Sequence, residues 1–239
     1  MSNLNYLTYS IKNWEYLYHY DEDLSRIFTA EKSLITNSEN HTEKVISDLK
    51  NSEKNDKILK KDPKTYEEGY DQSKYFQFHY LLEYDFINII IQNQRKANVL
   101  SVFSLIEGQI QLIANLIESK FDFSIKIKNL NRDGYIDRYW LYITKVFSID
   151  SIKIEKEYNL IKQQKYVRNK IAHNNSVVDE DKVKFINETK GLEIKKKGSK
   201  YTFEVCDSCY VMNLIANSEI FFKKLIMEID IKYAEIKKI

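Results

Sequence analysis

The sequence predicts an all-α fold, a mainly helical bundle, with one small β-hairpin ahead of the last helix. Three observations lead there. The 239-residue chain holds one proline and five glycines, too little punctuation for a fold of many short strands. Between residues 72 and 119, apolar side chains recur at three- and four-residue steps, the period of a helix with a buried face. Only over residues 191–205 does that period shorten to two.

Residues 1–30 carry Tyr6, Tyr9, Trp14, Tyr16, Tyr18 and Tyr20, and predict a helix that docks its aromatic rings on the rest of the protein. Residues 31–62 are polar and charged, with Leu34, Ile35, Val45, Ile46, Leu49, Ile58 and Leu59 spaced loosely as on a surface helix. Pro63, the sole proline, biases Asp62 away from helical dihedrals and marks a break. Residues 1–70 therefore read as a helical extension ahead of a main helical domain at 71–239.

Two helices, 75–93 and 96–119, open that domain. The second lines up Val99, Val102, Phe103, Ile106, Ile110, Ile113 and Leu116/Ile117 as a stripe facing the core. A connector with Asn129, Asn131, Asp133 and Gly134 leads to helices over 136–147 and 154–172. Asn174-Asn175-Ser176 ends the latter, polar residues that accept left-handed backbone. Leu192 and Ile194, then Tyr201, Phe203 and Val205, alternate around Lys197-Gly198-Ser199 as a hairpin, and a helix over 208–232 closes the chain.

Composition bounds function. With 43% apolar and 30% charged residues the chain is globular rather than disordered. A net charge of +2 does not make the whole molecule attract nucleic acid, although a local basic cleft is compatible with it. Met1-Ser2-Asn3-Leu4-Asn5 lacks the basic and apolar segments of a secretory signal, and no apolar stretch reaches the roughly 18 residues of a span, so a cytoplasmic protein with no membrane segment is expected. Cys206 and Cys209 make no disulfide framework. As a single Cys-x2-Cys they lack the second pair of a zinc ribbon, so inert half-buried thiols, no metal and no cofactor are expected.

One polar run interrupts the apolar pattern: Tyr166-Val167-Arg168-Asn169-Lys170-Ile171-Ala172-His173-Asn174-Asn175. Arginine offers a permanent charge for a phosphate, and histidine is the side chain that takes and gives a proton near neutral pH. Five arginines and four histidines bring an Arg-x4-His spacing about 0.08 times by chance, and His173 near a helix C-terminus also has an innocent use against the dipole. Position argues for more. Asn169 and His173 are four apart on one helical face, Arg168 reaches the same patch from about 100° away, and Val167 and Ile171 anchor the opposite face.

Val167-Arg168-Asn169-Lys170-Ile171-Ala172-His173-Asn174 resembles the signature of the HEPN superfamily: arginine, a polar residue, then histidine after four to six positions. The long helices upstream, with Glu107 in Ser104-Leu105-Ile106-Glu107, and the hairpin and helix downstream agree with it over residues 73–235. The resemblance implies a helical domain that forms a homodimer, with two motifs across one cleft. It also implies a metal-independent endoribonuclease, a prokaryotic toxin or anti-phage effector with an antitoxin or defence-system partner. By position, Arg168 holds the scissile phosphate, His173 acts as base on the 2′-hydroxyl or acid on the leaving oxygen, and Asn169 orients either one. Glu107 and Ser104 line the cleft in that reading, against the alternative that Glu107 merely faces solvent. Asn175 stands where one toxin branch has a tyrosine modified by a nucleotidyltransferase. Lys195-Lys196-Lys197 with Lys200 reads as a solvated turn or, less simply, as an RNA-backbone contact. The rival to a nuclease is a non-catalytic scaffold of the same fold that binds RNA or a nucleotide, or that only dimerises.

Overall fold

Two very long helices set the architecture of the computed structural model, which describes residues 11–59, 72–131 and 134–238. Helix α1 (Glu15–Leu59) has 45 residues and α2 (Gln72–Lys120) has 49. The remaining elements are α3 (Tyr135–Leu141), α4 (Glu155–His173), β1 (Val177–Val178), α5 (Val183–Glu188), β2 (Leu192–Lys197), β3 (Lys200–Val205) and α6 (Cys209–Ile236). The expected class holds at this level: a mostly helical protein with a small antiparallel sheet before its last helix.

Several boundaries differ from expectation. Residues 15–59 form one helix rather than two, because no glycine or proline interrupts them. The break expected at Pro63, and Tyr6, Tyr9 and Asp133, lie outside the described residues. The two helices expected at 75–93 and 96–119 are also one. Gln94 and Arg95, the two residues between the expected helices, are where α2 is bonded to α1: the Gln94 amide donates to Ser38, and Arg95 pairs with Glu39. The helix expected over 136–147 stays regular only to Leu141 and then widens into a π-turn over Tyr142–Val146, closed by the Phe147 N–H on the Tyr142 carbonyl at 3.0 Å.

The sheet has the order β1-β3-β2, antiparallel throughout. The hairpin pairs Leu192 with Val205 and Lys197 with Lys200. Two elements had no clear sequence signal: β1, only two residues long, which pairs Val177 with Thr202, and α5, whose buried anchor is Ile186. Gly191 is required where it stands. Its φ is +83°, and a Cβ there would lie 2.5 Å from the Tyr210 backbone nitrogen.

The core runs along α2, where Val99, Val102, Phe103, Ile106, Ile110, Ile113 and Ile117 are fully buried. Buried residues of α1 (Leu17, Leu24, Phe28, Ile35) belong to the same cluster. The start of α1 is fixed by Asp230 of α6, whose carboxylate accepts the backbone N–H groups of Lys12 (3.2 Å), Asn13 (3.1 Å) and Trp14 (2.8 Å). Trp14 then stacks on Tyr233 with centroids 4.8 Å apart, as the docking expectation required, whereas Tyr16 and Tyr18 face outward. The first half of α2 is less covered: Phe78, Leu81, Phe86 and Ile89 are each 59–60% exposed. Contrary to the expected lack of any such segment, Phe78–Lys120 is long and apolar enough to cross a membrane; 44% of its most apolar window is buried within the protein, and core helices of soluble proteins meet the same criterion.

Candidate functional site

The motif occupies the last two turns of α4. Val167 is fully buried and Ile171 packs half-buried against the core, which fixes the helix phase and turns Arg168 and Asn169 toward α2. Arg168 Nη2 donates to Glu107 Oε2 at 3.4 Å, and Nη1 donates to Asn169 Oδ1 at 3.0 Å. The Arg168 and Glu107 side chains are 26% and 22% exposed, so the pair is a cleft contact and not a surface one. Glu107 is therefore turned toward the motif rather than to open solvent. A guanidinium has five N–H donors, and only two of them are used among the described residues.

His173 is the final residue of α4, exposed, with no side-chain hydrogen bond among the described residues. Ser104 is exposed one turn before Glu107 on α2 and likewise makes none. The structure thus brings Glu107, Arg168 and Asn169 into one bonded group, and leaves His173 and Ser104 at its edge. Asn169 is committed to Arg168 rather than to His173.

The backbone after His173 is better held than its ring. Asn174 and Ser176 both donate their N–H to the Lys170 carbonyl, at 3.2 and 2.8 Å. Asn175 and Ser176 take positive φ (47° and 63°), and the turn is joined to β3 when Phe203 N–H donates to the Ser176 carbonyl at 3.1 Å. The left-handed backbone expected of these polar residues is present. The loop is anchored from both sides.

Three supports were not read from the sequence. Asp179 accepts the Tyr166 hydroxyl at 3.1 Å and the Lys170 amine at 2.9 Å, while its own N–H donates to the Tyr166 oxygen. The Lys170 hydrogen bond holds the Asp179 carboxyl below the usual carboxylate range and pushes the Lys170 amine up. Tyr166 and Lys170 are four apart on one helical face, a legible pair. Asp179 gave no signal, because it arrives only through the left-handed turn.

Cys206 and Cys209 are free and half-exposed. Burial, with Glu193 nearby, pushes the Cys206 thiol up. No three His, Cys, Asp or Glu side chains gather as a metal site among the described residues. In comparisons with known proteins, no family model, curated protein or solved structure matches this chain.

Proposed function

We propose that the chain is a metal-independent endoribonuclease that cleaves RNA by attack of the ribose 2′-hydroxyl, with Arg168, Asn169 and His173 as its catalytic residues. The observation that carries this reading is the Arg168 guanidinium, braced by Glu107 and Asn169 with donors to spare, five residues before an exposed histidine on an anchored helix end. Arg168 binds the scissile phosphate and the charge that grows on it in the transition state. His173 takes the 2′-hydroxyl proton or delivers one to the leaving 5′-oxygen, a step typically worth about 10²–10⁴ in rate. The products are a 2′,3′-cyclic phosphate and a 5′-hydroxyl, so the 2′-hydroxyl is obligatory. Asn169, already bonded to Arg168, positions the guanidinium.

The proposal includes a HEPN-like fold, a homodimer in which the second copy supplies another Arg168–His173 pair, a cytoplasmic setting, and use as a toxin or anti-phage effector with a restraining partner protein. One observation favours a second reading. No described side chain orients the His173 ring, as suits a non-catalytic scaffold that binds RNA or a nucleotide through Arg168. The deciding experiment incubates the purified protein with RNA in EDTA, beside Arg168→Ala and His173→Ala. The nuclease reading expects cleavage by the wild type and none by either variant. Cleavage that survives both substitutions, or that requires a divalent metal, sinks it. Binding lost in Arg168→Ala and kept in His173→Ala, with no cleavage by any form, establishes the scaffold. A solution mass of one chain removes the homodimer.

A further inference from the structure

We propose that the cleft between the first half of α2 and the β2–β3 hairpin is a single-stranded RNA subsite that takes the base and phosphate next to the scissile one. The inference rests on the nuclease reading above and names how that site holds its substrate. The cleft has a volume of about 600 Å³, and its wall includes Asp85, Asn88, Asn93, Lys96, Asn175 and Lys197. Asn175 ties it to the motif, since two residues from His173 span at most about 7 Å of backbone. A strand whose phosphate lies at Arg168 and His173 therefore enters this cleft with its next nucleotide.

The side chains divide by chemistry. Lys96 from α2 and Lys197 from the hairpin make no ion pair or side-chain hydrogen bond among the described residues. Their neighbours on the hairpin are occupied: Lys195 pairs with Glu193 at 2.7 Å, and Lys196 lies over the Tyr201 ring. Burial and Lys197 push the Lys96 amine down, and Glu204 opposes them. An anion between the two lysines relieves that cost, and a phosphate fits the demand. The Asn88 and Asn93 carboxamides are also unbonded among the described residues and can both donate to and accept from a base edge. Asp85 only accepts, which favours a base with an exocyclic amino group over uracil. Gln92, by contrast, is spent on the fold: its amide exchanges two hydrogen bonds with the Val205 backbone, at 3.1 and 3.0 Å.

The test uses the full chain and a fluorescein-labelled, single-stranded 2′-O-methyl oligonucleotide, which lacks the attacking hydroxyl and reports binding alone. Anisotropy titrations across a series of salt concentrations should show the slope of log K against log salt falling by roughly 0.7 for each of Lys96→Ala and Lys197→Ala. Affinity should drop about tenfold or more in the double variant, while Lys195→Ala stays close to wild type. With cleavable RNA, uracil should be depleted beside the cut, and Asp85→Ala should relax that bias. A double variant that is folded by circular dichroism yet keeps wild-type affinity and slope overturns the subsite even if RNA is cut. Lysine-dependent binding by a protein that never cuts RNA leaves the subsite standing and removes the nuclease. A protein that binds no RNA removes both.

Discussion

Two arginines face glutamates across helix interfaces in this protein, and they are bonded very differently. Arg95 of α2 grips Glu39 of α1 through two nitrogens, at 2.9 and 2.7 Å, and gives its third to the Val205 and Cys206 carbonyls that end β3. Its side chain is 15% exposed and its donors are directed at four acceptors. Arg168 meets Glu107 through a single nitrogen at 3.4 Å, borrows one oxygen from its neighbour Asn169, and keeps the rest of its fork unbonded. A bidentate arginine with filled acceptors is a clip. An arginine braced on one side and open on the other is suited to an anion that comes and goes.

If that distinction is sound, the two alanine variants should fail in opposite ways. Arg168→Ala should lower RNA cleavage about 10²–10³-fold, the usual cost of removing one oriented donor to a developing oxyanion. Its melting temperature should barely move, since a partly solvated pair with one long hydrogen bond contributes about 1 kcal/mol or less. Arg95→Ala should instead cost about 2–3 kcal/mol in a denaturant titration, because it leaves the Glu39 charge and the Cys206 carbonyl unpaired, while the Val205 carbonyl keeps the Gln92 amide; partial exposure keeps it below the figure for a fully buried pair. Equal losses of stability in both would erase the comparison.

Next in size is Glu107→Gln. The amide keeps the shape and one acceptor but loses the charge that holds the guanidinium in place. Cleavage should fall roughly tenfold through misplacement of Arg168, with stability within about 0.5 kcal/mol of wild type. An undiminished rate would return Glu107 to the role of bystander.

The contrast between the arginines also marks what the sequence could and could not say. Helical periodicity reported the α2 stripe from Val99 to Ile117 correctly, because burial there follows local spacing. The same periodicity divided α2 into 75–93 and 96–119, since the partners of Gln94 and Arg95, Ser38 and Glu39, lie 56 residues away and leave no local trace. In the motif, the shared face of Arg168, Asn169 and His173 was readable from spacing, whereas a cleft position for Glu107 came only from the family resemblance, with a solvent-facing position left open. That Asn169 turns to Arg168 rather than His173 depends on side-chain reach across α2, which spacing does not encode. Asp179 was invisible for a related reason: two residues of positive φ bring it back to Tyr166 and Lys170.

That Asp179 tie gives a pH-dependent test of how firmly the motif's loop is held. Its carboxyl lies below the ordinary range when folded, chiefly through Lys170. A depressed value means that its stabilising effect is present above the unfolded carboxylate pKa of about 4 and is lost as pH falls through the folded value. Protection of the amides of residues 174–178 from hydrogen exchange, taken relative to the intrinsic rate at each pH, should therefore fall only below about pH 4, and Asp179→Asn should show the lowered protection already at neutral pH. The Arg95 clip, which shares no partner with Asp179, should be untouched by Asp179→Asn. A loop equally protected in Asp179→Asn at neutral pH would place the anchor in the backbone bonds to Lys170 and β3 alone.

The smallest effect concerns Gly108, the residue after Glu107 and the only glycine within α2. Glycine inside a helix costs about 0.5–1 kcal/mol relative to alanine, and nothing lies within 4 Å of the place where a Cβ would stand. Gly108→Ala should therefore stabilise the protein by about that amount, read as a shift in denaturation midpoint at constant slope. Because the open space adjoins Glu107, a substrate that passes over α2 toward Arg168 would meet the added methyl. A gain in stability with unchanged cleavage keeps the RNA path on the Asn175 side of the motif. The same gain with weaker substrate binding extends the path across α2 and makes the empty space beside Gly108 part of the cleft that the open side of Arg168 serves.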